Sequence, residues 1–563
     1  MKILGIHIGH DSGASLLIDG KIIADVSEER FVRIKHYAGL PIRSIEYCLQ
    51  AGKIKMEDID YIALPSLEPS NTLKFLFENM PSSGTFMNKI KKIAKYNLEK
   101  MQILPSIKPP LYIKRFKLSE KTQFSKIEHH TAHAASAYFT TGSSEKQLIV
   151  TIDGGGDGYS ICIYRGENGE IIPLKKFPYI ASIGLFYSNV TESLGWWHGD
   201  GEGKTMGLAP YGNYENVKGL LDPFYPHFKD GELIKHHDFG QAFVYNENGS
   251  IQWHFDEAYE IKKLVEKFGP EDIAAEAQRV LEEQVMNIIF PWLEKENTRN
   301  LCCAGGVFLN VKLNQRIWYS GKVKNHHIFP NPGDGGLSLG AALYLYHQLQ
   351  NHTQHQKISD LYWGPEFSNK EIENILVNRN LKFRYDENIS KTCASYLADG
   401  KIVGWFQGRM ESGPRALGSR SIIMSPMSAK NKDIINARVK FREGFRPFCP
   451  SMIIESRDDF LEGARNEEFM ITSFDVKPSA AHEIPAVVHV DGTVRPQVLR
   501  REANPKYYDL IKFFGDITGV PVILNSSFNV RGEPIVCNPS DAIKCFYDTG
   551  LDCLAIGDFL IEK

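Results

Sequence analysis

The sequence predicts an α/β protein with more than one domain, for three reasons. Its 563 residues are too many for a single hydrophobic core. Two segments repeat one arrangement of short strands and tight turns, and two later strands each lead into a glycine-rich turn and a helix. The hydrophobic content of 42% and the charged content of 24% are ordinary for a globular protein.

The repeat covers residues 3–27 and 148–173. In both segments an apolar strand enters a polar glycine loop, and an Asp-Gly or Asn-Gly turn then separates two more strands. Such a duplicated unit is typical of actin/hexokinase-like nucleotide-binding domains, whose two loops face each other across a cleft. The alternative is a chance likeness between two ordinary hairpins.

Glycines also follow the next two strands. Gly305 and Gly306 end a strand at 301–304, and a glycine turn at 330–336 precedes a predicted helix over 337–349. Since glycine lets the backbone approach a ligand closely, these turns suit an adenosine or phosphate pocket. The nucleotide-binding residues predicted in this half are Gly155, Gly156, Gly305, Gly306 and Asn310.

A polar stretch at 350–358 is the predicted link between the two halves. We expect a first domain over 1–350, a linker over 351–365 and a second domain over 366–563. No apolar run approaches the length of a membrane span, and nine scattered cysteines without a CxxC pair indicate a reducing cytoplasm. The net charge of −3 gives no global reason to expect a nucleic-acid partner.

Two histidines and two aspartates form the predicted metal site. His129 and His133 are four residues apart in an alanine-rich run, so they project from one face of a helix. Asp153 ends the first strand of the second repeat, and Asp334 lies in the later glycine turn. Nitrogen and oxygen ligands together suit Fe(II), Mn(II) or Zn(II) better than Mg(II) alone. The alternative is that the histidines only cap or pack a helix.

A local excess of basic residues marks the second half. Residues 401–450 contain ten Lys or Arg against three Asp or Glu. If several cations converge, each like-charged pair at ~7 Å costs roughly 2 kcal/mol at an effective dielectric of ~20, and a bound anion offsets that cost. Small phosphates are therefore the expected ligands. The alternatives are ion pairs with Glu443, Glu467 and Glu468, or binding of an RNA backbone.

A buried strand at 521–524 opens into a polar turn. Asn525 and Ser527 in that turn could orient a phosphate or carbonyl oxygen, and Arg495 could join them. Asn and Ser after a strand usually form only a turn, so this signal alone is weak.

Together the motifs resemble the NodU/CmcH family of O-carbamoyltransferases over nearly the whole length. The matching motifs are Gly9-His10-Asp11-Ser12, Glu28-Glu29-Arg30-Phe31, His129–Tyr138, Glu202–Gly212, Gly305-Gly306-Val307, Pro332–Gly336, Gly413–Gly418, Arg442–Phe448 and Asn525–Asn529. The resemblance implies a TsaD-like first domain with Fe(II) at the four predicted ligands, and a YrdC-like α/β second domain that binds carbamoyl phosphate and ATP, the latter with Mg.

The resemblance also assigns residues to roles. It implies that carbamoyl phosphate and ATP are bound by Arg415, Lys440, Arg446, Arg495, Asn525 and Ser527, with Arg415 and Lys440 counted as catalytic. His10, in the first glycine loop, is the candidate general base for an acceptor hydroxyl, or else a structural turn residue. Lys35 is a candidate contact to the acceptor or to phosphate.

The predicted function is ATP-dependent O-carbamoyl transfer. Carbamoyl phosphate and ATP would give carbamoyl-adenylate and pyrophosphate, and the carbamoyl group would pass to a hydroxyl of a sugar or another natural product, as in antibiotic biosynthesis. Small molecules are the expected partners, with no nucleic acid and no membrane, in the cytoplasm. The alternatives are a tRNA threonylcarbamoyl-type modification enzyme and a non-catalytic nucleotide-binding module.

Overall fold

The computed structural model describes residues 1–66, 116–236, 256–350 and 355–563. The strands of the first half are β1 (Lys2–His7), β2 (Gly13–Ile18), β3 (Lys21–Ser27), β4 (Tyr61–Ser66), β5 (Gln123–Glu128), β6 (Gln147–Gly156), β7 (Tyr159–Glu167), β8 (Glu170–Pro178), β9 (His227–Lys229), β10 (Glu232–Lys235), β11 (Asn300–Ala304) and β12 (Asn325–Ile328).

Ten of these strands form two sheets with the same topology. The first sheet has the order β3-β2-β1-β4-β5, and the second has the order β12-β11-β6-β7-β8, which is the same pattern from the other edge. In each sheet three consecutive strands pair antiparallel, and the last two strands add in parallel to the first. The strand unit predicted from the sequence repeat is therefore present twice, as β1–β3 and β6–β8.

Two helices, α3 (His129–Tyr138) and α9 (Leu337–Leu349), lie between the two sheets. The helices of the first half are α1 (Glu29–Val32), α2 (Ile42–Ala51), α3 (His129–Tyr138), α4 (Ile183–Ser193), α5 (Glu202–Leu208), α6 (Asp256–Phe268), α7 (Pro270–Lys295), α8 (Val311–Tyr319) and α9 (Leu337–Leu349). The alanines of α3 share one core with Ile3 of the first sheet and Ile149 of the second. A Cβ on Gly340 of α9 would lie 2.0 Å from the carbonyl oxygen of Ala132, so only glycine permits this helix crossing. This packing fixes the first turn of α3 beside the residues that precede α9.

The second half is built on one eight-stranded mixed sheet. Its strands are β13 (Arg384–Tyr385), β14 (Val403–Phe406), β15 (Arg420–Met424), β16 (Cys449–Ile453), β17 (Leu461–Glu462), β18 (Phe474–Val476), β19 (Thr493–Val494), β20 (Gln497–Leu499), β21 (Val522–Ser527), β22 (Cys553–Ile556) and β23 (Phe559–Glu562). The large sheet has the order β13-β23-β22-β14-β15-β21-β16-β20, and β17-β18-β19 form a small separate sheet.

Helices cover both faces of the large sheet. They are α10 (Asn369–Asn378), α11 (Ile389–Ala398), α12 (Lys430–Ile435), α13 (Arg457–Phe460), α14 (Pro505–Thr518) and α15 (Pro539–Asp548). Helices α11 and α14 share one apolar core with the sheet, and α10 and α15 share the core of the opposite face. Within the described ranges, no helix is both long and apolar enough to span a membrane.

The two halves are joined by polar contacts and by buried apolar chain. Nη2 of Arg30 donates to the carbonyl oxygen of Gly413 at 2.7 Å, and the hydroxyl of Ser412 contacts Asp25. Of the predicted linker 351–365, residues 351–354 lie outside the described residues. The remainder contacts both halves. Trp363 is buried in the core between the two sheets of the first half, and the N–H of Ser412 in the second half donates to the carbonyl oxygen of Leu361 at 2.7 Å. The exact domain boundaries stay a prediction.

Candidate active site

The four predicted metal ligands converge. The ligand atoms of His129, His133, Asp153 and Asp334 all lie within 4.8 Å of one another. Nε2 of His133 is 3.0 Å from Oδ2 of Asp153 and 3.5 Å from Oδ1 of Asp334, and Nε2 of His129 is 3.6 and 3.7 Å from the same two oxygens. Ligand atoms about 2.1 Å from a shared metal ion are roughly 3.0–3.4 Å apart, so this spacing fits one ion.

Local hydrogen bonds aim these ligands. The carboxylate of Glu128 caps α3 by accepting from the backbone N–H of Thr131 at 2.8 Å. The backbone N–H of His129 donates to Oδ2 of Asp157 at 2.8 Å. Oδ1 of Asp153 accepts from the N–H of Gly154 at 2.6 Å, which leaves Oδ2 for the histidines. The first two turns of α3 and the end of β6 therefore supply three of the four ligands.

The electrostatics of this pocket favour a cation. Burial disfavours charge on His129, but Asp334 and Asp153 outweigh burial and raise its pKa to about 9. Burial likewise opposes ionisation of Asp153, yet His129 and His133 hold its pKa well below its usual range. Nε2 of His129 is buried and has no hydrogen-bond partner among the described residues. A pocket that stabilises protonated imidazoles also stabilises a metal ion, so the residues present fit a metal site.

Two neighbouring histidines were not selected from the sequence. His130 bonds through Nδ1 to the hydroxyl of Thr151 at 2.9 Å and through Nε2 to the carbonyl oxygen of Tyr159 at 3.0 Å, and burial lowers its pKa to about 3. His7, at the end of β1, has Nε2 3.9 Å from Oδ2 of Asp334. His130 is thus a neutral packing residue, whereas His7 borders the metal ligands.

The predicted nucleotide-binding glycines also border these ligands. A Cβ on Gly156 would lie 2.2 Å from the ring of His129, and one on Gly306 would lie 3.1 Å from Oδ1 of Asp153. Gly305 has φ +99° and a Cβ there would lie 2.2 Å from the carbonyl oxygen of Ile152. A Cβ on Gly155 would meet the ring of Tyr179 at 2.2 Å. Larger residues would therefore displace the ligands or the strands that carry them.

Asn310 is engaged within the fold. Its Oδ1 accepts from the N–H of Leu313 at 3.0 Å, which caps α8, and its Nδ2 donates to Oε1 of Gln278 at 2.9 Å. A nucleotide contact from this side chain would have to compete with both bonds.

His10 and Lys35 lie in a group of charged side chains beside the metal site. Nδ1 of His10 is 2.9 Å from Oδ2 of Asp11, and Nδ1 of His36 is 2.7 Å from Oδ1 of Asp11. Asp200 contacts Lys35 and lies 3.4 Å from Nε2 of His36. Sequence reasoning did not select Asp11, His36 or Asp200 as site residues, because only the fold brings Asp200 to this loop.

Four arginines of the second half lie close together with little compensation of their positive charge. This arginine cluster consists of Arg415, Arg442, Arg446 and Arg495. Burial, followed by the charge of Arg495, lowers the pKa of Arg415 to about 9. Burial and the charge of Arg446 lower the pKa of Arg442 to about 9, and burial lowers that of Arg446 too. Nε of Arg415 is buried without a hydrogen-bond partner in the part of the chain that the structure describes. Holding these charges together is costly until an anion binds.

The three acidic residues considered as alternative partners behave differently from one another. Glu467 lies 3.4 Å from Nη2 of Arg465, and Glu468 lies 2.5 Å from Nε of Arg500. Glu443 does approach the cluster, with Oε2 3.8 Å from Nη1 of Arg446. Of these three residues, only Glu443 forms an ion pair with the arginine cluster and so supports the alternative to anion binding.

Two arginines of the same basic stretch are structural. Arg420 is fully buried and donates through Nη1 to the carbonyl oxygen of Gln407 at 2.8 Å. Arg409 donates through Nη2 to the carbonyl oxygen of Trp363 at 2.8 Å. Backbone carbonyls accept from both guanidinium groups, although Nε of Arg420 has no hydrogen-bond partner among the described residues.

Lys440 and Ser527 are brought together. Lys440 ends a π-helical turn, Asn436–Lys440, that continues α12. Its Nζ contacts the carbonyl oxygen of Ser527 and is 2.9 Å from both the carbonyl oxygen and Oδ1 of Asn529. Burial, and then the charge of Arg442, holds the pKa of Lys440 well below its usual range. Lys440 therefore secures the predicted substrate-binding turn beside the arginines.

Asn525 and Arg495 are tied to neighbouring strands. Nδ2 of Asn525 donates to the carbonyl oxygen of Ala416 at 3.1 Å and to the hydroxyl of Ser451 at 3.0 Å. Nη2 of Arg495 lies 2.8 Å from Sγ of Cys449, a residue that sequence reasoning did not select.

The metal site and the arginine cluster approach each other where the halves meet. A Cβ on Gly413 would lie 3.2 Å from Cβ of Asn331, so the loop that carries Arg415 packs against the turn that leads to Asp334. Phe445 packs on Trp196 with ring centroids 5.7 Å apart, and Nζ of Lys204 is 3.2 Å from Oε1 of Glu443.

Comparison with known proteins identifies the family. The family model for the carbamoyltransferase N-terminus matches residues 2–343, and that for the carbamoyltransferase C-terminus matches residues 394–563. Nodulation protein NolNO of Sinorhizobium fredii is 36% identical over 98% of this chain and 79% of its own length. The uncharacterized protein sll1178 of Synechocystis is 36% identical over 100% of this chain and 96% of its own length.

A likeness to solved structures is only partial. Component A of the (R)-2-hydroxyglutaryl-CoA dehydratase of Acidaminococcus fermentans matches 62% of this chain and 100% of its own chain. The sequence identity is 17% and the TM-score is 0.35, so the two folds are not closely alike. The family assignment depends on the sequence comparisons, and these confirm the predicted resemblance. The chain belongs to the carbamoyltransferase family of the NodU/NolO type and is a transferase enzyme.

Proposed function

We propose that the protein forms carbamoyl-adenylate from carbamoyl phosphate and ATP in its second half and transfers the carbamoyl group in its first half to a hydroxyl of a small acceptor. The observation that carries this proposal is a group of partly buried arginines, Arg415, Arg442 and Arg446, with Arg495 beside them. Burial and the charges of neighbouring arginines lower the pKa of the first three, which indicates positive charge without adequate counter-ions. Two polyanionic substrates would supply those counter-ions.

The activation step balances only if two phosphate products leave. Water cleaves carbamoyl phosphate to carbamate and orthophosphate, and a carbamate oxygen then attacks the α-phosphorus of ATP as pyrophosphate departs. Arg415, Arg446 and Arg495 reduce the repulsion between the two anionic substrates. Lys440 would hold the turn that contains Ser527, because its Nζ contacts the carbonyl oxygen of that residue. Asn525 would fix the strand before this turn, because its Nδ2 donates to the carbonyl oxygen of Ala416.

In the transfer step the acceptor oxygen bonds to the carbamoyl carbon and AMP leaves. Nε2 of His10 would accept the hydroxyl proton, a role supported by the contact of its other ring nitrogen, Nδ1, with Asp11. A metal ion held by His129, His133, Asp153 and Asp334, with Fe(II) first and Mn(II) or Zn(II) as substitutes, would neutralise charge on the adenylate phosphate. Lys35 stands beside this position, paired with Asp200.

The proposal includes the domain assignments. We infer a TsaD-like domain of the actin/hexokinase type over the first half, supported by the doubled strand order, and a YrdC-like α/β domain over the second. ATP would enter with Mg. A cytoplasmic location is supported by the nine cysteines, all buried and free.

Isotope exchange between pyrophosphate and ATP tests the activation step. We expect exchange that depends on carbamoyl phosphate, since adenylate formation is reversible. No exchange in metal-loaded protein would contradict the proposal. Adding a panel of hydroxylated metabolites, followed by mass spectrometry for a gain of one carbamoyl group, would then identify the acceptor.

The remaining rival is a tRNA threonylcarbamoyl-type enzyme. The confined basic cluster and the net charge of −3 favour a small acceptor over a nucleic acid. AMP formation that rises with tRNA and ignores small alcohols would reverse this preference.

A further inference from the structure

A row of charged side chains in contact lies beside the proposed metal site: His10, Asp11, His36 and Asp200. Asp11 bridges the two imidazoles, with Oδ2 2.9 Å from Nδ1 of His10 and Oδ1 2.7 Å from Nδ1 of His36. The rings of His10 and His36 stack at a centroid distance of 5.1 Å and an interplanar angle of 11°. Asp200 reaches the far nitrogen of His36 at 3.4 Å. The four side chains therefore form one connected unit.

The backbone holds this row in a conformation that costs energy. Asp11 has φ +58° and His36 has φ +53°, both in the left-handed region that few side chains favour. The two loops are tied together, since the N–H of Ser12 donates to the carbonyl oxygen of Tyr37 at 3.0 Å. The N–H of His36 donates to Oε2 of Glu29 at 2.9 Å. Such a conformation persists only where the surroundings enforce it, and it is typical of functional loops.

One nitrogen of His10 remains available. Asp11 occupies Nδ1, and the space beyond Nε2 is bordered by Gly199, where a Cβ would lie 3.7 Å from that nitrogen. The side chain of His10 is 52% exposed, so a substrate can reach it. The glycine keeps side-chain bulk away from the reactive nitrogen.

We propose that Asp11 and His36 are positioning residues for His10, with Asp11 fixing the ring through Nδ1 and the cationic His36, anchored by Asp200, opposing premature protonation of that ring. The inference rests on the proposed role of His10 as the base. During transfer the hydroxyl proton of the acceptor moves to Nε2 of His10 as the bond to AMP breaks. Asp11 and His36 exchange no proton in this step.

The charges around His10 agree with these roles of Asp11 and His36. Burial opposes charge on His36, but Asp11 and Asp200 outweigh it and raise its pKa to about 10, with nearby Lys35 opposing them. For His10, burial and the charge of His36 oppose protonation, Asp11 and Asp334 favour it, and the net pKa is raised. Removing His36 would leave the two carboxylates unopposed.

Chemical modification by diethyl pyrocarbonate tests the row without any enzymatic turnover, because this reagent attacks neutral imidazole. The rate of modification of His10, followed by peptide mass spectrometry across pH, gives the midpoint of its titration. Asparagine tolerates left-handed backbone, so His36→Asn and Asp11→Asn are the mildest variants. His482→Asn, at an exposed histidine outside the site, is the control.

We expect opposite shifts in the two variants. The midpoint for His10 should rise by about one pH unit in His36→Asn, which loses a repelling charge, and fall by about one unit in Asp11→Asn, which loses the attracting one. The control should match the wild type. Unchanged midpoints, or shifts in the same direction, would overturn the inference, and either variant alone suffices if the other does not fold.

A second measurement separates this inference from the proposed function. In His36→Asn, exchange of pyrophosphate into ATP should stay within about threefold of wild type, while AMP formation with glycerol as a simple acceptor falls about tenfold at neutral pH and recovers at higher pH. Absence of exchange in the wild type would overturn the proposed function, and the modification midpoints would still decide the role of the row.

Discussion

The metal site and the arginine cluster differ in how their charges are compensated. In the metal site, imidazole nitrogens and carboxylate oxygens face each other at 3.0–3.7 Å. In the cluster, Arg415, Arg442, Arg446 and Arg495 repel one another, and Glu443 reaches Arg446 only at 3.8 Å. The first site is complementary to a cation and the second to anions, although the loop that carries Arg415 packs against the turn that leads to Asp334. The proposed metal site and the proposed phosphate site are thus adjoining but electrostatically opposite.

The largest expected effect is on the metal site. His133→Ala removes one ligand and leaves Asp153 and Asp334 without its charge, so the bound metal and carbamoyl transfer should be lost. We expect AMP formation to fall by about 1,000-fold, with pyrophosphate exchange within about threefold of wild type. Elemental analysis should show the loss of metal, and His482→Ala is the control. Lost exchange with intact transfer would reverse the division between the two sites.

The second largest effect is expected in the arginine cluster and concerns pyrophosphate exchange. Arg446→Ala removes a cation that faces the anions, and one or two charge-assisted hydrogen bonds correspond to a loss of about 100-fold in pyrophosphate exchange. Metal content should not change. Arg501→Ala removes an exposed arginine paired with Asp509 at 3.1 Å and should leave exchange intact. Full exchange in Arg446→Ala would show that the cluster does not bind the substrates.

A smaller effect concerns thermal stability. Orthophosphate at ten times its dissociation constant should stabilise the wild type by about 1.4 kcal/mol, or a rise in Tm of about 2 °C over chloride at equal ionic strength. Arg415→Gln should lose this rise and be no less stable in chloride, because a repelling charge is gone. Differential scanning calorimetry would measure both. A variant destabilised in chloride that still responds to phosphate would point to a structural role for Arg415.

The smallest effect is expected at the junction between the two regions. Asp25 accepts from the hydroxyl of Ser15 at 2.5 Å and contacts Ser412, and burial raises its pKa to about 6 although both serines oppose the rise. The carboxyl group of an unfolded aspartate has a pKa of about 3.9. Protonation of Asp25 therefore stabilises the folded state fully below that pH, and this contribution is lost as pH rises through about 6.

The free energy of unfolding of Asp25→Asn should therefore rise relative to that of the wild type between pH 4 and pH 7, as measured by urea unfolding. The exposed substitution Asp516→Asn should show no such trend. A pH-independent difference for Asp25→Asn would mean that this carboxylate is not strained by burial.

Sequence patterns predicted the four residues that converge, because each occupies a position with a local signature. His129 and His133 follow helical spacing, and Asp153 and Asp334 lie in glycine turns beside strands or helices. The row from His10 to Asp200 had no such signature, since it depends on two left-handed residues and on a contact between distant loops.

The amino-acid composition could not show which arginines of the second half are available to a ligand either. Arg409 and Arg420 belong to the same basic stretch as Arg415, but backbone carbonyls happen to face the first two. Only the tertiary structure determines which guanidinium groups remain for a ligand. The domain boundaries and the residues that contact substrate remain predictions for the same reason.

The burial of the chain after residue 354 governs how the enzyme can be dissected. Ile358, Leu361 and Trp363 are 5%, 3% and 8% exposed and fill a groove of the first half. A truncation at 350 would strip that groove, at roughly 1.5–3 kcal/mol for each lost side chain. Ser368 starts α10 with its own capping box to Glu371. A first fragment must therefore retain residues 355–365, and cutting the chain between 365 and 368 separates their hydrogen bonds with Met410 and Ser412 of the second half.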